Sequence, residues 1–134
     1  MTTIYLIRHA EAEGNIYRRY HGWYNSLITL NGYRQIQALE KRFEGVRIDA
    51  VYSSDLFRTM TTAWALYKSR GLELHTDPGL REIGGGVWED KTWGWLHREN
   101  EGALDAFNRA DPAWQVEGSE TFGGVQMRVT HAIR

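Results

Sequence analysis

The sequence predicts an α/β fold, a three-layer α/β/α sandwich on a mostly parallel sheet. Three observations predict it. Residues 3–7 are β-branched, aromatic and aliphatic with no period-2 alternation, as in a strand covered on both faces. Two stretches of helical apolar spacing follow, each leading into another short strand-like run. The resulting order of strand, helix, strand, helix, strand is that of parallel α/β units.

The elements follow in order. Residues 10–28 carry Gly14, Asn15, Gly22, Asn25 and Ser26 and read as a loop. Thr29 is placed to cap a helix over about 30–43, with Tyr33, Ile36, Leu39 and Phe43 on one face and Gly45 as its stop. Residues 47–52 read as the second strand. Ser53, Ser54 and Asp55 then offer caps for a helix reaching Arg70, with Met60, Ala63, Trp64 and Tyr67 as its apolar stripe. Gly71 ends it, residues 72–76 form a third strand, and Asp77-Pro78-Gly79 turns the chain. Residues 84–92 read as a Gly-rich loop, and short helices are expected near 93–100 and 103–109. Beyond Gly118-Ser119-Glu120-Thr121, Phe122, Val125, Val129 and Ile133 recur at helical spacing to the last residue without a stop signal. That pattern leads us to expect a fragment of a longer protein.

A chain of 134 residues suits one domain, residues 1–134. The formal net charge of -1 provides no global field for nucleic acid, and no basic run suggests a membrane surface. Any anion must be held by local positive charge. With no cysteine there is no disulfide, thiolate zinc site or cysteine nucleophile. No apolar stretch matches a signal peptide or a membrane span, so a cytoplasmic location is the default expectation.

Three polar clusters each follow a predicted strand: Arg8-His9-Ala10-Glu11, Ser53 to Arg58, and Leu80-Arg81-Glu82. In an open parallel sheet the carboxyl ends of the strands share one edge, where ligands bind, so the clusters should converge. Guanidinium groups match phosphate oxygens, a neutral imidazole can attack, and a carboxyl group can pass a proton. Phosphoryl transfer needs mainly such positioning and charge neutralisation. Taken singly, Arg8-His9 could be surface decoration and Glu82 a solvated carboxylate. Arg58, a cation in a helix's first turn, opposes the macrodipole and is poorly explained as helix stabilisation.

Other residues read more plainly. His75, His97 and His131 suit the surface; His21 could line a site or serve structure. Trp88, Trp93 and Trp95 read as core and loop packing or as a wall for a substrate's organic part. No close His pair or acidic loop points to a metal, and neither a P-loop nor a dinucleotide fingerprint is present.

At these residues the chain resembles the histidine phosphatase superfamily, the phosphoglycerate mutase-like family. The resemblance rests on Leu6-Ile7-Arg8-His9-Ala10-Glu11, on Asn15, on Gly22 to Gly32, and on Ser53 to Ala63. It continues through Leu80-Arg81-Glu82-Ile83 with Gly86-Val87-Trp88-Glu89, and through Gly118-Ser119-Glu120. It implies that His9 is the nucleophile, that Arg8, Arg58 and Asn15 hold the phosphate, and that Glu82 protonates the leaving alcohol. It implies no metal and no cofactor. Ala10 and Ala12 depart from the family's usual Gly and Ser or Thr. The family's second active-site His lies on a strand beyond residue 134, so the fold is expected to lack its C-terminal strands and the isolated chain to be weakly active or inactive. Unpaired strand edges would invite association into a homo-oligomer. A phosphomonoester hydrolase acting on a small phosphorylated substrate is the leading expectation. A phosphoglycerate mutase and a non-catalytic phospholigand-binding module are the alternatives.

Overall fold

Thr29 caps the first long helix as its residue type predicts: its side chain accepts the Gly32 N–H at 3.0 Å. In the computed structural model, which describes residues 1–134, a single turn α1 (Glu13–Ile16) precedes this helix, α2 (Leu30–Arg42). Gly45, at φ +73°, then takes the left-handed conformation that lets the chain turn back. A short strand β1 (Val51–Ser53) leads to α3 (Phe57–Tyr67), which tightens into a 3₁₀ turn over Lys68–Arg70. The second strand β2 (Leu74–Thr76) pairs parallel with β1 in the register Val51–Leu74, Tyr52–His75, Ser53–Thr76. Two 3₁₀ turns follow, Pro78–Leu80 and Gly86–Trp88, and then α4 (Trp93–Glu99), α5 (Glu101–Asn108) and α6 (Phe122–Ala132).

The α/β class and the parallel pairing are therefore as the sequence predicts, but the sheet is small and open. Residues 3–7 form no ladder with any other strand. A strand has no hydrogen bonds of its own, and the backbone groups of residues 3–7 bond to no other backbone segment. Nor are both faces covered. Tyr5 meets Phe43 edge-on at 5.2 Å and Ile7 packs on the first core, while Ile4 and Leu6 are 76% and 94% exposed. β1 shows the same one-sidedness: Val51 and Ser53 are buried, and Tyr52 is exposed and stacks on His75.

Two cores hold the chain. The first gathers Ile36 and Phe43 from the α2 segment, Val51 from β1, and Ala63, Ala65 and Leu66 from α3. The inward face of α3 is thus Arg58, Thr62, Ala63, Ala65 and Leu66, rotated from the expected stripe; Met60, Trp64 and Tyr67 are only half-buried. The second core is aromatic: Tyr20, Trp88 and Trp114 with Ile83, Leu96 and Leu104. Ser54 and Asp55 do not cap α3 as expected. Asp55 forms a two-point ion pair with Arg81 at 2.6 Å, a stronger use for a carboxylate than one N–H. The N–H of Phe57 instead donates to Asn25 Oδ1 at 2.8 Å, a cap supplied from 32 residues away. His75, His97 and His131 are exposed, as expected. No helix is long and apolar enough to cross a membrane.

Candidate active site

Where the segment 3–7, the start of α3 and the turn after β2 end together, they open a cleft of about 430 Å³. Arg8, His9, Asn15, Arg58 and Glu82 all line it, so the predicted site residues do share one cavity. Sequence reasoning did not foresee Arg18 and Arg19, which add positive charge on the same walls. Four arginines and one carboxylate therefore face the cleft in a chain whose formal charge is -1. The anion field is local, as the overall charge balance requires. Arg18 takes the left-handed region at φ 54°, an uncommon conformation for a residue with a Cβ.

His9 is held in a defined state. Its Nδ1 lies 2.7 Å from the Ala10 carbonyl oxygen, which can only accept, so Nδ1 carries the proton and Nε2 keeps its lone pair. Burial lowers the His9 pKa below its ordinary value; the Ala10 contact opposes this, and the charges of Arg58 and Arg8 lower it further. The imidazole is thereby kept neutral beside two guanidiniums. The Ala10 peptide is anchored in turn: its N–H donates to Thr62 Oγ1 at 2.9 Å, and that hydroxyl donates to the Arg58 carbonyl at 2.7 Å. One threonine thus ties the His9 segment to the helix that carries Arg58. Its position one helical turn after Arg58 was the sequence signal available for it.

Arg58 is 3% exposed. Its guanidinium donates to the carbonyls of Tyr24 at 3.1 Å, His21 at 3.1 Å and Gly22 at 2.7 Å. No carboxylate comes within ion-pair distance of it. Burial pulls its pKa down, with Glu82 and Glu89 acting the other way. A guanidinium held by carbonyls and without a carboxylate partner is able to pair with an anion that enters the cleft. Glu82 is exposed and accepts the Ile83 N–H at 2.9 Å. Its turn is pinned from behind by Arg128, which donates to the carbonyls of Gly79, Arg81 and Glu82 while pairing with Glu120 at 2.7 Å. Asn15 is also exposed; its Oδ1 accepts the Ala12 N–H, leaving the amide N–H₂ free.

Part of the lining is apolar, made by Tyr20, Ile83, Trp93 and Phe107 of the aromatic core. Tyr20 is 3% exposed, and burial raises its pKa well above the ordinary phenol value. The tryptophans differ in where they lie. Trp88 is 1% exposed and belongs to the core; Trp93 faces the cleft. His21 lines the cleft too, with Nε2 donating to Asp90 at 3.1 Å. No group of three or more His, Cys, Asp or Glu side chains gathers as a metal site.

Comparison with known proteins gives a consistent result. Residues 4–134 match the family model of the histidine phosphatase superfamily (branch 1). The chain is 32% identical over 133 residues to a protein named Probable phosphoglycerate mutase GpmB from Proteus mirabilis, covering 99% of this chain and 62% of that one. Among solved structures, YhfR of Bacillus stearothermophilus superposes with a TM-score of 0.87 at 34% identity, over 94% of this chain and 62% of that one. A mycobacterial glucosyl-3-phosphoglycerate phosphatase solved with VO3 superposes with a TM-score of 0.86 at 27% identity, over 93% and 62%. The chain thus spans less than two thirds of the length of these relatives.

Proposed function

Because this chain belongs to the histidine phosphatase superfamily (branch 1), we propose that it hydrolyses phosphate monoesters through a phosphohistidine on His9. The observation that carries this reading is Arg58, buried without a carboxylate partner and opening on the same cleft as a neutral His9. In the first step His9 Nε2 attacks phosphorus in line, forming the N–P bond as the ester P–O bond breaks. Arg8, Arg58 and the Asn15 amide hold the non-bridging oxygens, and their charge counters that developing in the transition state. Glu82, the one carboxylate on the cleft walls, gives its proton to the leaving alkoxide. In the second step Glu82 takes a proton from water, the hydroxide attacks phosphorus, and the P–N bond breaks to return neutral His9 and free phosphate.

The apolar wall of Tyr20, Trp93 and Phe107 supports a small substrate whose organic part has a face to lay against it. The mycobacterial phosphatase among the structural relatives supports hydrolysis. The Proteus mirabilis relative, named as a mutase, favours a second reading in which phosphate passes to a sugar-acid hydroxyl instead of water. Following phosphate release and 3-phosphoglycerate interconversion side by side, with the protein at its full natural length, tests the choice. Release of inorganic phosphate from several monoesters, lost in His9→Ala, is expected. Interconversion without release would establish the mutase, and binding without either reaction a phospholigand-binding module.

A further inference from the structure

Glu89 is half-buried and forms no ion pair with any lysine or arginine. Its carboxylate is instead seated on backbone. Oε1 accepts the N–H groups of Gly22 at 3.0 Å, Trp23 at 3.1 Å and Tyr24 at 2.9 Å; Oε2 accepts those of Trp23 at 3.1 Å and Gly85 at 2.7 Å. Successive N–H groups converging on one carboxylate form an anion-binding nest, here filled by the protein's own side chain. A Cβ at Gly22 would lie 2.7 Å from Glu89 Oε2 and collide with the Ile83 carbonyl, so only glycine lets the loop approach.

The same peptide units face Arg58 with their other side. The Gly22 N–H belongs to the peptide whose carbonyl is that of His21, and the Trp23 N–H to the peptide whose carbonyl is that of Gly22. Both carbonyls accept from Arg58 Nη2, at 3.1 and 2.7 Å. Two peptide planes therefore lie between an anion and a buried cation. Each has its positive N–H end toward the carboxylate and its negative C=O end toward the guanidinium, the favourable sense for a peptide dipole.

We propose that Glu89 is a positioning residue for phosphate binding: through the peptides joining His21, Gly22 and Trp23 it fixes the carbonyls that aim the Arg58 guanidinium. It does not touch the substrate, and it is absent from the cleft walls. The inference rests on the reading of Arg58 as a phosphate ligand. It also carries an unusual sign. Removing a negative charge near an anion site should tighten anion binding by charge alone, whereas loss of positioning should weaken it.

Binding of inorganic phosphate and of orthovanadate, measured calorimetrically in the wild type, Glu89→Gln and Glu89→Asp, separates these outcomes. Each measurement is paired with the Arg guanidinium NMR spectrum. In the wild type, hindered rotation should give separate Nη–H signals for Arg58, told from those of the other tightly held arginines by their loss in Arg58→Lys. Glu89→Gln should stay folded, bind phosphate about tenfold more weakly, the low end of the effect that partners of metal-ligating residues have, and show averaged Nη–H signals. Ile36→Ala, a destabilising change in the first core, should leave both readouts unchanged. Equal or tighter phosphate binding by Glu89→Gln with the Arg58 signals still separate would overturn the proposal. If Glu89→Gln does not fold, Glu89→Asp, whose shorter arm cannot span all four N–H groups, is judged by the same criteria. A wild type that binds neither anion counts against the phosphate site itself, and the guanidinium spectrum then decides the role of Glu89 alone.

Discussion

Replacing Thr62 by valine removes one oxygen and changes almost nothing in shape. Thr62 is 5% exposed and Ala10 7%, so neither group can turn to water. The Ala10 N–H has no acceptor other than Thr62 Oγ1. Valine therefore leaves a buried donor unpaired, at a cost of about 1–3 kcal/mol. Helix propensity barely distinguishes the two residues, and no cavity forms, so little offsets this. A loss of about 2 kcal/mol is expected in urea denaturation, a large share of a small domain's stability. Activity should suffer separately. Ala10 carries both the peptide bond to His9 and the carbonyl that fixes the His9 tautomer. A misplacement of roughly 1 Å can cost on the order of a hundredfold in rate, so phosphate release should fall at least tenfold. Thr62→Ser restores the hydroxyl and should recover most of both. A valine variant within about 0.5 kcal/mol of wild type and equally active would refute the idea that this hydroxyl sets the position of His9.

Three further predictions concern the cleft. His9 attacks as the neutral imidazole, and its folded pKa lies below the ordinary 6.5, so phosphoryl transfer to it should persist as pH falls through 6.5 and decline only lower, at the depressed value. In that window the unfolded chain binds the proton and the folded one does not, so stability holds above 6.5 and falls as pH drops from there through the folded pKa; His9→Gln should remove that part of the slope in pH-dependent denaturation. Arg58→Ala should cost about 3 kcal/mol or more in kcat/KM, and an unchanged value would show that the buried guanidinium holds no phosphate oxygen. Glu82→Gln should harm poor leaving groups far more than good ones, so a uniform loss across a series of esters would make Glu82 structural.

What the sequence disclosed, and what it withheld, follows the range of the interactions involved. Helix α2 could be read because its cap, its apolar face and its stop at Gly45 all lie within the segment itself. Arg8, His9, Arg58 and Glu82 could be placed together because a parallel arrangement brings the ends of successive segments to one edge. Residues 3–7 were misjudged because ladder pairing and the covering of a second face depend on neighbours, and no local pattern reports whether these are present. Asp55 looked like a cap because its position allowed one; Arg81, 26 residues later, claims it instead. Thr62, Glu89 and Arg128 are hard to single out as site residues because each acts on backbone groups, which every residue carries; Glu89 stands in a matched motif and Thr62 one turn after Arg58, but neither signal names the backbone groups they hold.

The account stands on His9 as the atom that receives the phosphoryl group. Mixing the protein, at its full natural length, with a reactive monoester and quenching within a turnover should trap one phosphate in an acid-labile, base-stable bond, which peptide mass spectrometry should locate on His9. Phosphate release that continues with no label on His9, or with the label on another residue, would contradict it.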